Sequence, residues 1–210
     1  MVAKVIMASS FKATLEYLTQ EAKGFDIILS NGVRDYDINK TIADFVGQSK
    51  ENSRIKTKIF HTSFSFHVND KKAVESKGKE IMQDYLSRLQ QKGVSIDDTQ
   101  YILVEHKDKD HPHYHLVANM VKDDGKRLEI GNVGYKMTSV SRAIEKAYKL
   151  TPGIRKEYQQ EVLEKGYNVK EAIAAVGAVK QQKENTNERG QNGKISTDRQ
   201  QRKQGKRPSL

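Results

Sequence analysis

Two stretches of this chain alternate with period two, and in both the polar parity is built from imidazoles and hydroxyls. Residues 58–67 set Phe60, Thr62, Phe64 and Phe66 on one parity and His61, Ser63, Ser65 and His67 on the other. Residues 113–121 set Tyr114, Leu116, Ala118 and Met120 against His113, His115, Val117 and Asn119. Side chains of a strand point alternately to opposite faces, so each stretch reads as a strand that buries one side and presents polar groups on the other. Solvent-facing strand positions usually carry Lys, Glu and Thr, so a face of histidine and serine points to chemistry rather than to mere solvation. The His113-Tyr-His115 pair puts two imidazoles on one side, about 7 Å apart along the strand. Neutral imidazole binds divalent transition metals well. His106 closes the preceding strand and can supply a third ligand. His106, His113 and His115 are therefore the candidate metal ligands, with His61 and His67 close by and only His111, in the turn, outside the clustering.

The remaining segments place these strands in an α+β domain. Val2 to Met7 reads as a strand. A helix capped by Ser9 or Ser10 follows and runs to about Ala22. A short strand spans Asp26 to Leu29, and a helix lies around Ile38 to Val46. Ala73 to Gln91 carries Ile81, Tyr85 and Leu89 on one stripe and closes at Gly93. Tyr101 to His106 is a strand joined to the 113–121 strand by a polar turn. A hairpin or loop around Asp123 to Lys126 and helices from Ser139 to Tyr148 and from Pro152 complete the pattern. The expectation is a central antiparallel sheet with flanking helices packed on one side.

Charge bears on the partner. The net charge is +10, which favours a polyanion because each Lys or Arg that meets a phosphate releases counterions. Residues 180–210 hold nine basic and three acidic side chains, so they carry six of those ten charges. They have almost no large apolar side chains and are expected to be a disordered basic tail, after a helical extension over 151–179. The chain has no cysteine, which excludes disulfides and thiolate metal sites. No run approaches the ~20 apolar residues that span a bilayer, so a cytoplasmic location without a membrane segment is expected.

The run His106-Lys-Asp108-Lys-Asp110-His-Pro-His113-Tyr-His115-Leu-Val-Ala-Asn119 resembles the histidine motif of plasmid and transposon relaxases, within the HUH endonuclease superfamily. Met1-Val-Ala-Lys, Ser10-Phe-Lys-Ala with Leu15-Glu-Tyr17-Leu, Phe60-His-Thr-Ser-Phe-Ser-Phe-His67 and Gln100-Tyr-Ile-Leu-Val extend the similarity over roughly residues 1–150, the expected nuclease domain. The resemblance implies a site- and strand-specific DNA nick at an origin of transfer, for conjugative mobilisation. It implies that His106, His113 and His115 bind a divalent metal ion, Mn²⁺ or Mg²⁺ foremost, with Zn²⁺ or Ni²⁺ compatible. It implies Tyr17 as the nucleophile that becomes linked to the 5′ phosphate. Ser65 would help hold DNA near the scissile phosphate, and Asp108 would orient a histidine from behind. His61, Ser63, His67 and Asn119 would support the ligands or touch DNA. Single-stranded DNA and an accessory mobilisation protein are the implied partners.

Tyr17 can also be weighed on its own residues. Phe11, Leu15, Leu18 and Ala22 form one apolar stripe, and Tyr17 falls about 130° from its middle at ~100° per residue. A core tyrosine would sit on the stripe. Two other readings stay open: a replication initiator or transposase of the same superfamily, and a non-enzymatic DNA-binding mobilisation protein with a structural metal. The position of the Tyr17 segment ahead of the histidines disfavours the first, because those relatives usually carry the tyrosine after them.

Overall fold

The computed structural model describes residues 1–153. The expected helical extension and basic tail, residues 151–179 and 180–210, lie outside the described residues apart from the first three. Five strands, β1 (Val2–Ala8), β2 (Phe25–Asn31), β3 (Ile59–Ser65), β4 (Tyr101–His106) and β5 (His113–Asn119), form one sheet in the order β1-β3-β5-β4-β2. Every neighbouring pair is antiparallel. Four helices flank it: α1 (Phe11–Leu18), α2 (Ile38–Ser49), α3 (Lys71–Gln91) and α4 (Val133–Ala147). The fold is α+β. Among the described residues, no helix is long and apolar enough to cross a membrane.

The helices cover both faces of the sheet, not one. Val74, Ile81, Met82, Tyr85 and Leu89 of α3 and Met137, Val140 and Ile144 of α4 pack with Phe60, Phe64, Leu103, Tyr114 and Leu116 in the main core. Phe11, Leu15 and Leu18 of α1 and Phe45 of α2 form a second core with Ile59, Ile102, Val104 and Val117. The reason lies in β4, whose Tyr-Ile-Leu-Val run is apolar on both parities, so a bare face would leave Ile102 and Val104 in water. α3 passes close over Tyr114 because Gly78 has no Cβ to collide with the phenol oxygen.

Several boundaries depart from the pattern reading, by two to six residues in the three that follow. The first helix ends at Leu18: the Thr19 hydroxyl bonds the Leu15 carbonyl, and a 3₁₀ turn over Glu21–Lys23 closes at Gly24 with φ +53°. β3 ends at Ser65, and His67 instead caps the following turn, its Nδ1 accepting from the Asn69 N–H at 3.2 Å. The helix α4 begins at Val133, six residues before Ser139, after Asn132 in a left-handed conformation.

Candidate active site

Strand register decides which polar groups meet. Ser65 pairs with His113 and Ser63 with His115 across β3 and β5, while His113 pairs with His106 across β5 and β4. Directly opposed residues of antiparallel strands project to the same side, so these groups share one face. The lower part of that face, at Ile59, Val117 and Ile102, lies beneath α1 and α2. The upper part carries the imidazoles. The polar parity is thus only half polar, because the second helix layer needs apolar residues beneath it.

His106, His113 and His115 come together with one nitrogen each, all within 4.8 Å of one another. The other nitrogen of each is held by the protein. His106 Nε2 donates to the Leu18 carbonyl at 2.7 Å. His115 Nδ1 pairs with His61 Nε2 at 3.0 Å, and His113 Nδ1 approaches the His111 carbonyl at 3.3 Å. That pattern leaves Nδ1 of His106 and Nε2 of His113 and His115 free. Metal-ligating histidines are commonly oriented this way, with the second ring nitrogen fixed by a carbonyl or another polar group. His113 Nε2 is buried without a hydrogen-bond partner. The Asp108 carboxylate lies 3.0 Å away, close enough for an ion pair but not aligned to accept a hydrogen bond. A bare lone pair beside a carboxylate is a place for a cation, so the donor set fits a divalent ion.

The electrostatics agree. Burial is the main cause that lowers the pKa of all four imidazoles, to about 4 at His61 and about 3 at His115, and also at His106 and His113. Neighbouring imidazoles and Lys109 work in the same direction at His115. At neutral pH the trio is uncharged and its lone pairs are available.

The other candidates divide. Tyr17 is 56% exposed, while Phe11, Leu15 and Leu18 of its helix are buried. Its neighbour Leu18 bonds His106, so Tyr17 stands at the trio's end of α1. Ser63 and Ser65 are half-buried beside His115 and His113, and their hydroxyls have no partner among the described residues. His61 supports His115. Asp108 faces the bare Nε2 edge of His113, and the His111 carbonyl stands behind the ring where the carboxylate was expected. His67 is exposed and off the strand.

Asn119 lies at the other end of β5 from His113. It lies six residues, about 20 Å, from His113 along β5. It is fully buried and ties Phe45 O, Gln100 Oε1 and the Val121 N–H. Its role is to brace α2 against the sheet.

Sequence reading passed over Lys4, Lys23 and Lys109. Lys4 pairs with Ser63 on the same face, which strand alternation could have revealed. Nothing in the sequence marked the other two. On the opposite face a cleft of about 410 Å³ is lined by Gly78, Glu105 and Tyr114; no histidine reaches it.

A family model described as "Relaxase: MobA/VirD2-like, nuclease domain" matches residues 17–150, from the candidate nucleophile through the whole trio. No curated protein matches. One similar solved structure is described as "Molecular Basis of Vancomycin Resistance Transfer in Staphylococcus aureus". It shares 10% identity over 80% of this chain and 94% of its own, with a TM-score of 0.43.

Proposed function

The chain belongs to the relaxases, in the MobA/VirD2-like nuclease-domain family, and from that premise we propose that it nicks one DNA strand at an origin of transfer for mobilisation. The Tyr17 oxygen attacks the scissile phosphorus in line and gives up its proton to solvent. The bond to the departing 3′ oxygen breaks, that oxygen takes up a proton, and the product is a 5′-phosphotyrosine with a free 3′-OH. Because a phosphodiester is exchanged for another phosphodiester, the same site can rejoin ends after transfer.

His106, His113 and His115 would hold a divalent ion, Mn²⁺ or Mg²⁺ foremost, which when bound supplies Lewis-acid polarisation of a nonbridging phosphate oxygen. Ser65 and Ser63 donate hydroxyls to the DNA backbone beside the trio. His61 orients His115, and the Leu18 and His111 carbonyls orient His106 and His113. Residues 1–150 act as the nuclease domain, and an accessory mobilisation protein joins it at the origin.

One observation carries this reading: the bond from His106 to the Leu18 carbonyl, which fastens the end of the Tyr17 helix to a member of the imidazole trio. The test incubates the chain with Mn²⁺ and labelled single strands tiled across the origin region of its own element. An SDS-stable protein–DNA adduct is expected. Tyr17→Phe removes one oxygen from an exposed side chain, so folding and DNA binding should survive while adduct formation falls by about three orders of magnitude or more. A modified peptide containing Tyr36, Tyr114 or a histidine instead of Tyr17 would overturn the nucleophile assignment.

A further inference from the structure

Tyr17 does not stand alone on its exposed helix face. The Lys23 ammonium lies 3.0 Å from the centroid of the Tyr17 ring. The same ammonium donates to the Tyr17 main-chain carbonyl at 2.8 Å. The turn that carries Lys23 is itself pinned. The Lys107 N–H donates to the Lys23 and Gly24 carbonyls at 3.2 and 2.8 Å, and Lys107 Nζ pairs with Asp26. Lys107 directly follows His106, which bonds Leu18. The end of α1, the Lys23 turn and one member of the trio are therefore fastened at a single corner of the sheet. The Lys23 charge is felt at the His106 ring, where it works against protonation.

We propose that Lys23 is a positioning residue for the nicking step: its ammonium fixes the orientation of the Tyr17 ring and provides the positive charge beside which the anionic phosphate arrives. The proposal rests on the reading of Tyr17 as the nucleophile. Two physical arguments support it. An exposed tyrosine samples several rotamers, and a cation held over its face while bonded to its own carbonyl removes that freedom before DNA binds. The face of an aromatic ring is also electronegative and disfavours an approaching phosphate, and an ammonium on that face offsets the repulsion. A purely structural alternative is that Lys23 only caps the last carbonyls of α1.

The two roles separate in the full chain with Mn²⁺ and an origin oligonucleotide that the unaltered protein nicks. Lys23→Met keeps the aliphatic stem and removes the charge. Turnover at saturating DNA should fall about 100-fold, with KM and calorimetric Mn²⁺ affinity little changed. Lys23→Arg, which can stack a guanidinium on the ring, should recover most of the loss. With fluorotyrosine incorporated, the ¹⁹F resonance assigned to Tyr17 by Tyr17→Phe should move in DNA-free Lys23→Met and not in Lys23→Arg. Turnover of Lys23→Met equal to the unaltered chain would overturn the proposal. So would a rise in KM alone, an Arg variant as slow as the Met variant, or an unmoved resonance. A helix-capping role would lower the melting temperature and leave turnover intact, which also overturns it. If the unaltered chain forms its adduct at a residue other than Tyr17, or forms none, the parent reading fails and this proposal with it. An adduct at Tyr17 with an indifferent Lys23→Met sinks the proposal alone.

Discussion

Each imidazole of the trio grips the protein with one nitrogen and leaves the other bare, so its partners behind the ring matter as well as the ring. His113→Ala removes a bare nitrogen outright and should abolish tight Mn²⁺ binding while the domain stays folded. His61→Ala removes only the partner of His115 Nδ1 and should weaken Mn²⁺ binding by about 10–100-fold. Calorimetric titration of both variants checks the ranking. Equal affinities for His113→Ala and the unaltered chain would remove His113 from the ligand set. The same burial makes a prediction about acid. The folded pKa values of His61 and His115 are lowered to about 4 and about 3, against 6.5 for an ordinary histidine. Below pH 6.5 the unfolded chain takes up protons that the folded chain refuses. The associated stability is therefore complete above pH 6.5 and is lost as pH falls toward those folded values. Melting of the metal-free chain should drop steadily between pH 7 and pH 5, a window where most carboxylates do not titrate. A flat melting temperature across it would contradict the buried neutral cluster.

At the scale of elements, α1 does two jobs with eight residues. Its Phe11, Leu15 and Leu18 face enters the second core, and its last carbonyls reach His106 and Lys23. Ser10 caps its start by accepting from the Ala13 N–H at 3.2 Å. So short a helix is not stable by propensity, and its hold on the sheet comes from packing. Leu15 is fully buried, so Leu15→Ala should cost about 2–5 kcal/mol in chemical denaturation. Because the helix then sits less firmly beneath its own Leu18 carbonyl, Mn²⁺ affinity should fall as well. Lost stability with unchanged metal binding would show that α1 and the trio are energetically separate.

Across the whole molecule the charge is lopsided. Residues 180–210 hold six of the ten net positive charges, so they are the part of the chain best able to meet phosphates regardless of DNA sequence. A chain ending at Val179 should keep the cleavage chemistry and bind single strands more weakly. Its log K against log salt should be shallower by about 0.7 for each phosphate that the tail would otherwise neutralise. Equal slopes with and without those residues would show that the tail does not touch DNA. On the proposed reading the nuclease chemistry belongs to the compact unit Met1–Gly153.

The sequence alone determined the alternation of β3 and β5, the candidate ligands His106, His113 and His115, and the outward setting of Tyr17, because strand and helix periods are local properties of the chain. It also contained, unread, the reason for a second helix layer: the run from Tyr101 to Val104 is apolar on both parities. What it could not determine was anything set by contacts between distant segments. Asn119 ends the histidine motif four residues after His115, yet its side chain is consumed by Phe45 and Gln100 from other segments. His67 shares the parity of His61, yet the strand ends two residues too early to keep it on the face. Lys23 is an ordinary lysine until the 3₁₀ turn Glu21–Lys23 brings it back over Tyr17. The tertiary structure decided these three because register, strand ends and turn geometry depend on which partner is already in place.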